Sequence, residues 1–131
     1  MDVNVLDVVE AAWEPQVTTV GRDVVKKLIR RVESLNTQEE IDQLIQELTA
    51  DVEGQPFDHK KALRSLVFAI ELTAACIAIG DKVAELRAPD PPAVVQELKK
   101  DENVRSIIKK FDKEDAPEVE ATLQAFAKHA K

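Results

Sequence analysis

Apolar residues recur along this chain at three- and four-residue spacing, and no stretch alternates as a half-buried strand would. The segment 58–87 departs from that amphipathic pattern, because its middle, 62–80, is apolar on nearly every side. A helix of that kind belongs inside a bundle or in a membrane. Arg64 and Glu71 interrupt it, and each would cost roughly 2.5–3.5 kcal/mol near a bilayer centre. The uninterrupted apolar run also falls short of the roughly 20 residues that a span needs. The pattern therefore predicts a buried central helix, with Leu63, Leu66, Val67, Ile70, Ala74 and Ile77 as its densest face.

The remaining elements read as covers for that helix. Val5, Leu6, Val9, Ala12 and Trp13 share one face of a first short helix. It is expected to end before Pro15, since a proline pushes the preceding residue out of the α region. Pro15 then suits the first turn of a second helix, which turns Val17, Val20, Val24, Leu28, Val32 and Leu35 inward and ends near Asn36. Thr37 and Glu40 are spaced as a capping box. The Thr37 hydroxyl would accept from the Glu40 amide, and the Glu40 carboxylate would reach back to the Thr37 amide.

A third helix follows with Ile41, Leu44, Ile45, Leu48 and Val52 as its stripe, Gly54 as its left-handed stop and 55–57 as a loop. Asp58 is placed to cap the central helix, and Gly80 within that helix marks a close approach of a neighbour. Three prolines in 88–92 make the main break of the chain, after which Asp90 and Pro91 are a fitting N-cap and first helical residue. Val94, Val95 and Leu98 form the next stripe, and Val104, Ile107, Ile108 and Phe111 resume on a different phase, which puts a boundary near Asp101. Asp115 to Glu118 repeats the capping logic, and the last helix is expected to bury Val119, Leu123, Phe126 and Ala130. The expected fold is all-α: a compact, mostly antiparallel bundle of about six to seven helices around the central helix at 58–87.

Composition narrows this picture. A chain of 131 residues, 44% apolar and 33% charged, fits one soluble domain spanning 1–131 with a well-covered surface. With four Phe, one Trp and no Tyr, aliphatic side chains must fill the core. The net charge of −7 opposes duplex nucleic acid as the main partner, because that affinity comes from neutralising phosphates. A single cysteine, Cys76, excludes an intramolecular disulfide, and the first four residues lack the basic start of a secretory signal; a cytoplasmic protein is expected.

The chain carries no recognisable catalytic pattern. Cys76 sits among Ala74, Ala75, Ile77 and Ala78, the surroundings of an inert core thiol. His59 and His129 lack the partners that helix-borne metal sites need, and Gly21, Gly54 and Gly80 are too scattered to cradle a phosphate. No catalytic, cofactor-binding or metal-ligating residue is assigned, and no cofactor is expected.

Two features point instead to a partner. The region 39–58 holds seven acids and no Lys or Arg, so the third helix should present an acidic outer face through Glu39, Asp42 and Glu47. Arg22 to Arg31 and the region around Lys99 to Lys113 are locally basic, a segregation able to steer a charged partner or align copies of the chain. On the central helix, Arg64 and Glu71 lie seven residues apart and point almost the same way, with Phe68 between them. This seam is either a solvent-facing strip, in which an exposed Phe68 would suit an interaction surface, or a buried Arg64–Glu71 pair or ligand groove. The expected function is a non-enzymatic protein-interaction or regulatory domain: a small regulator, an immunity-type inhibitor, or the terminal module of a larger protein. Its partner would be another protein, one with a basic surface for the acidic face, or a second copy. The alternative is a membrane-acting bundle that releases and inserts its N-terminal apolar helix.

Overall fold

The structure, a computed structural model, describes residues 4–32, 34–35, 37–51, 58–85 and 90–129. Among the described residues eight α-helices follow one another: α1 (Val5–Val20), α2 (Arg22–Val32), α3 (Gln38–Asp51), α4 (Asp58–Ala78), α5 (Gly80–Glu85), α6 (Pro91–Lys100), α7 (Glu102–Ile108) and α8 (Ala116–His129). A 3-10 turn, Lys113–Asp115, precedes the last, and no strand occurs among the described residues. The Gly54 stop, the 55–57 loop, Val52, Asn36, Ala88, Pro89, Ala130 and residues 1–3 lie outside the described residues, as do the side chains of Asp58, His59 and His129.

The break expected before Pro15 is present as a kink, with helical geometry on both sides of it. Helix α1 runs on to Val20, and only Trp13 leaves helical geometry (φ −122°, ψ 26°). Pro15 has no amide to donate and crowds the carbonyl one turn earlier, which bends a helix that packing keeps continuous. The true break comes at Gly21, whose φ of +98° suits glycine; its amide donates to the Val17 carbonyl at 2.8 Å. On α2, Leu28 and Val32 are buried as expected, but Val25 rather than half-buried Val24 completes the inward face.

Helix α4 is covered on most of its sides, with Lys60, Lys61, Arg64, Ala74 and Ala78 left exposed. Helices α1, α2, α3, α7 and α8 all pack on it, and Leu63, Leu66, Val67, Ala69, Ile70, Leu72 and Cys76 have no exposed surface. Two details differ from the sequence reading. Ala74, expected inside, is exposed, and the helix stops at Ala78, with a turn at Ile79 before buried Gly80 opens α5. The inward positions of α3 (Ile41, Leu44, Ile45, Leu48) and α8 (Val119, Leu123, Phe126) join one hydrophobic cluster with α4.

Caps set the remaining boundaries. Asp90 accepts from the Ala93 amide at 3.3 Å, ahead of Pro91. Asp101 ends α6 and caps α7 by accepting from the Val104 amide at 3.0 Å. At α3 the Thr37 hydroxyl accepts from the Glu40 amide (3.2 Å), but it donates to the Glu40 carboxylate (3.1 Å), so the box closes between side chains.

A long-range polar tie crosses the core between α1 and α8. Trp13, fully buried on α1, donates its indole N–H to the Thr122 hydroxyl of α8 at 2.7 Å, and that hydroxyl donates to the Glu118 carbonyl at 2.8 Å. Trp13 also stacks on Phe111 at 5.5 Å between ring centroids. These contacts fix α1 and α8 relative to the turn that follows α7.

Candidate functional site

The acidic helix and the central seam, separate in the sequence, meet at one cleft. It has a volume of about 330 Å³ and lies where the start of α3, the first half of α4 and the turn after α7 converge. Asp42 enters from α3, Arg64 and Phe68 from α4, and Lys110 and Phe111 from the turn. Phe68 and Phe111 pack edge to face at 5.8 Å, and Lys110 Nζ stands 5.7 Å from the centre of the Phe68 ring. Aromatic surface therefore forms the floor and charges of both signs form the rim.

This geometry revises the seam. Phe68 is not exposed: it keeps only 7% of its surface because Phe111 and Lys110 cover it. Arg64 and Glu71 do not pair. Glu71, half-buried, accepts from Lys110 at 3.3 Å, whereas Arg64 is exposed and has no hydrogen bond or ion pair among the described residues. Buried Ala75, one turn past Glu71, ends the strip.

The acids of α3 are likewise divided. Glu47 reaches Arg31 of α2 at 2.8 Å, so part of the acidic face is neutralised by the basic helix beside it. Asp42 accepts from Gln38 at 3.2 Å and faces the cleft, and Glu39 stays exposed. Glu39, Asp42 and Glu47 thus look toward three surroundings rather than forming one face.

A second cleft of about 390 Å³ adjoins the first, between α1 and the start of α8. Lys61, Ser65 and Asp115 line both and form the wall between them. Across that wall Lys61 pairs with Glu114 at 2.6 Å, which raises the lysine's pKa and lowers the carboxyl's, through their hydrogen bond first and their charges second. Asp115 is buried and accepts from the Ser65 hydroxyl at 3.3 Å. Burial pushes its carboxyl up, the Ser65 bond opposes that, and the charges of Asp112 and Glu118 add to it. In this second cleft the oxygens Gln16 Oε1 and Glu118 Oε2 are buried without a hydrogen-bond partner among the described residues.

Cys76 lies in the core, where burial, followed by the charge of Asp101, pushes its thiol up to about 12. It stays protonated and unreactive at neutral pH. No helix among the described residues is long and apolar enough to cross a membrane. Releasing α1 would expose Val8, Val9 and Trp13, all fully buried, and would break the indole bond to Thr122.

Lys110, Phe111, Lys61 and Asp115 escaped the sequence reading as site residues. Phe111 carried a core signal, Lys110 belonged to a basic region read only as a whole, Asp115 carried a capping signal and Lys61 none, and only the tertiary fold brings position 111 to position 68. Compared with protein-family models, curated proteins and solved structures, the chain matches none.

Proposed function

We propose that this chain is a non-enzymatic protein-interaction or regulatory domain, a compact, mostly antiparallel bundle arranged around α4, and that the cleft of Asp42, Arg64 and Phe68 receives its partner. The observation that carries this reading is Arg64: an exposed guanidinium at the rim of the cleft, without a partner among the described residues while its neighbours Lys61 and Lys110 are engaged. A planar guanidinium is suited to a bidentate bond with a carboxylate, and the half-buried Phe111 ring in the same cleft offers apolar area to the same visitor. Glu39 and Asp42 give the α3 side an acidic character that steers a basic patch toward the cleft. A nucleophilic function for Cys76 is opposed by its burial and raised pKa.

Affinity capture from the source cell tests this. Immobilised wild-type chain, Arg64→Glu and Asp42→Lys would be compared side by side, with circular dichroism confirming that each is folded. The reading expects a protein retained by the wild type and lost by Arg64→Glu. A retained set that is the same for all three would remove the cleft from the account.

A further inference from the structure

The two adjoining clefts have opposite needs. In the cleft between α1 and α8, the unmet groups are acceptors: Gln16 Oε1 and Glu118 Oε2 have no donor among the described residues, and Glu114 and Asp115 add carboxylates beside them. In the cleft between α3 and α4, the cation unmet among the described residues is Arg64, a pure donor. Between them stands one exposed ion pair, Lys61 to Glu114, with the Ser65–Asp115 bond beneath it. Exposed pairs of this kind contribute little to stability, so this strap opens at small cost.

We propose that the two clefts form one polar groove for an extended segment of a partner protein, with a Lys or Arg of that segment entering between α1 and α8 and an Asp or Glu engaging Arg64. This rests on the reading of the chain as an interaction domain and adds the partner's chemistry and direction. The basic group of the segment supplies the donors that Gln16 and Glu118 lack, and it takes over Glu114 as Lys61 swings out. The acidic group forms the guanidinium–carboxylate pair that Arg64 does not make among the described residues. Apolar residues on either side of that acid would rest on Phe111, which is half-buried. Because Trp13 stacks on Phe111, its emission should respond when the groove fills.

Short synthetic peptides, acetylated and amidated to remove terminal charges, test this with the full chain. One set carries Lys at one end and Glu at the other with the spacing varied residue by residue; control sets carry Lys alone, Glu alone or Lys at both ends. Amide NMR shifts map where each binds, and Trp13 emission follows occupancy. At the best spacing the Lys/Glu peptide should bind roughly tenfold more tightly than either single-charge control and shift amides of both clefts. Arg64→Glu, at an exposed position that should leave the fold intact, should reverse the preference in favour of the Lys/Lys peptide. Equal binding of the Lys/Glu and single-charge peptides, shifts confined to one cleft, or an unreversed preference in Arg64→Glu would overturn the groove. The interaction reading fails separately, if affinity capture yields no protein that depends on Arg64.

Discussion

The bond from Trp13 to Thr122 is the sharpest place to test how the site is held, because it joins the two walls of the α1–α8 cleft across 109 residues of chain. Thr122→Val keeps the shape and removes the hydroxyl. The indole N–H, with Trp13 wholly buried, is then left without an acceptor, and such an orphan costs about 1–3 kcal/mol. The Thr122 hydroxyl's other bond, to the Glu118 carbonyl, adds little, because helical carbonyls already have an amide donor. For 131 residues, an unfolding entropy of about 2.1 cal/mol/K per residue gives ~0.28 kcal/mol/K, so Tm should fall by about 4–11 °C. Far-UV circular dichroism melts and urea titrations would measure the loss. Trp13→Phe removes the donor as well, so Thr122→Val should cost clearly less in that background, with a coupling of at least about 0.5 kcal/mol. Strict additivity, or a loss below about 0.5 kcal/mol for Thr122→Val alone, would refute the claim that this bond fixes the cleft wall.

Other outcomes follow from the same structure. Ile70→Ala, at a fully buried position on α4, should cost about 2–5 kcal/mol in urea melts; a loss under about 1 kcal/mol would mean that α4 is not central. Reversing Glu39, Asp42 and Glu47 to Lys together should slow association with a basic partner and flatten its salt dependence, while moving Tm little; the structural penalties are small and lie at position 47, where the ion pair with Arg31 gives way to a like-charge contact, at position 42, where the bond from Gln38 is lost, and at position 39 in the first turn of α3. The Cys76 thiol, raised from 9.0 to about 12, keeps its proton in the folded state after the unfolded chain has lost it, so stability should fall as pH rises from about 9 to about 12. The full effect is ~4 kcal/mol at about 1.36 kcal/mol per pH unit, and Cys76→Ala should flatten that alkaline slope. Asp115 shows the same sign at acid pH. Its raised carboxyl takes a proton in the folded state first, so stability relative to Asp115→Asn should rise as pH falls through that pKa toward 3.8, read from urea melts of both proteins.

How far the sequence reached depends on the range of the interaction. The all-helical character, the stripes of α3 and α8, the cap at Asp90 and the boundary at Asp101 are governed by signals within about one turn, and each was legible. Pro15 was read as a full stop where the structure has a kink, and the stop at Gly21 was not read at all. Local preference says that a proline ends a helix, but burial of Val8, Val9, Trp13 and Val17 along one side of α1 holds the kinked helix together. Gly21 carried no distinctive neighbours, and only its positive φ reveals the break.

The candidate site was half legible. Charge segregation singled out Asp42, and the interrupted apolar run singled out Arg64, Phe68 and Glu71, yet their real partners were not visible. Lys110 covers Phe68 and takes Glu71 from a position 39 residues along the chain, and Arg31 reaches Glu47 across 16. Such pairings depend on how helices pack, and helical periodicity says nothing of which charged faces become neighbours.

The central claim is that a protein partner docks at the α3–α4 cleft, and site-specific photo-crosslinking tests it most directly. A photoreactive residue would replace Arg64's neighbour in the cleft, Asp42, and in a separate protein Lys26, an exposed position on α2 that lines neither cleft. Both proteins would be irradiated in lysate of the source cell, with and without the additional change Arg64→Glu. The account predicts a discrete crosslinked protein from position 42, none of it from position 26, and its loss with Arg64→Glu. No adduct at position 42, or the same adducts from both positions, would contradict it.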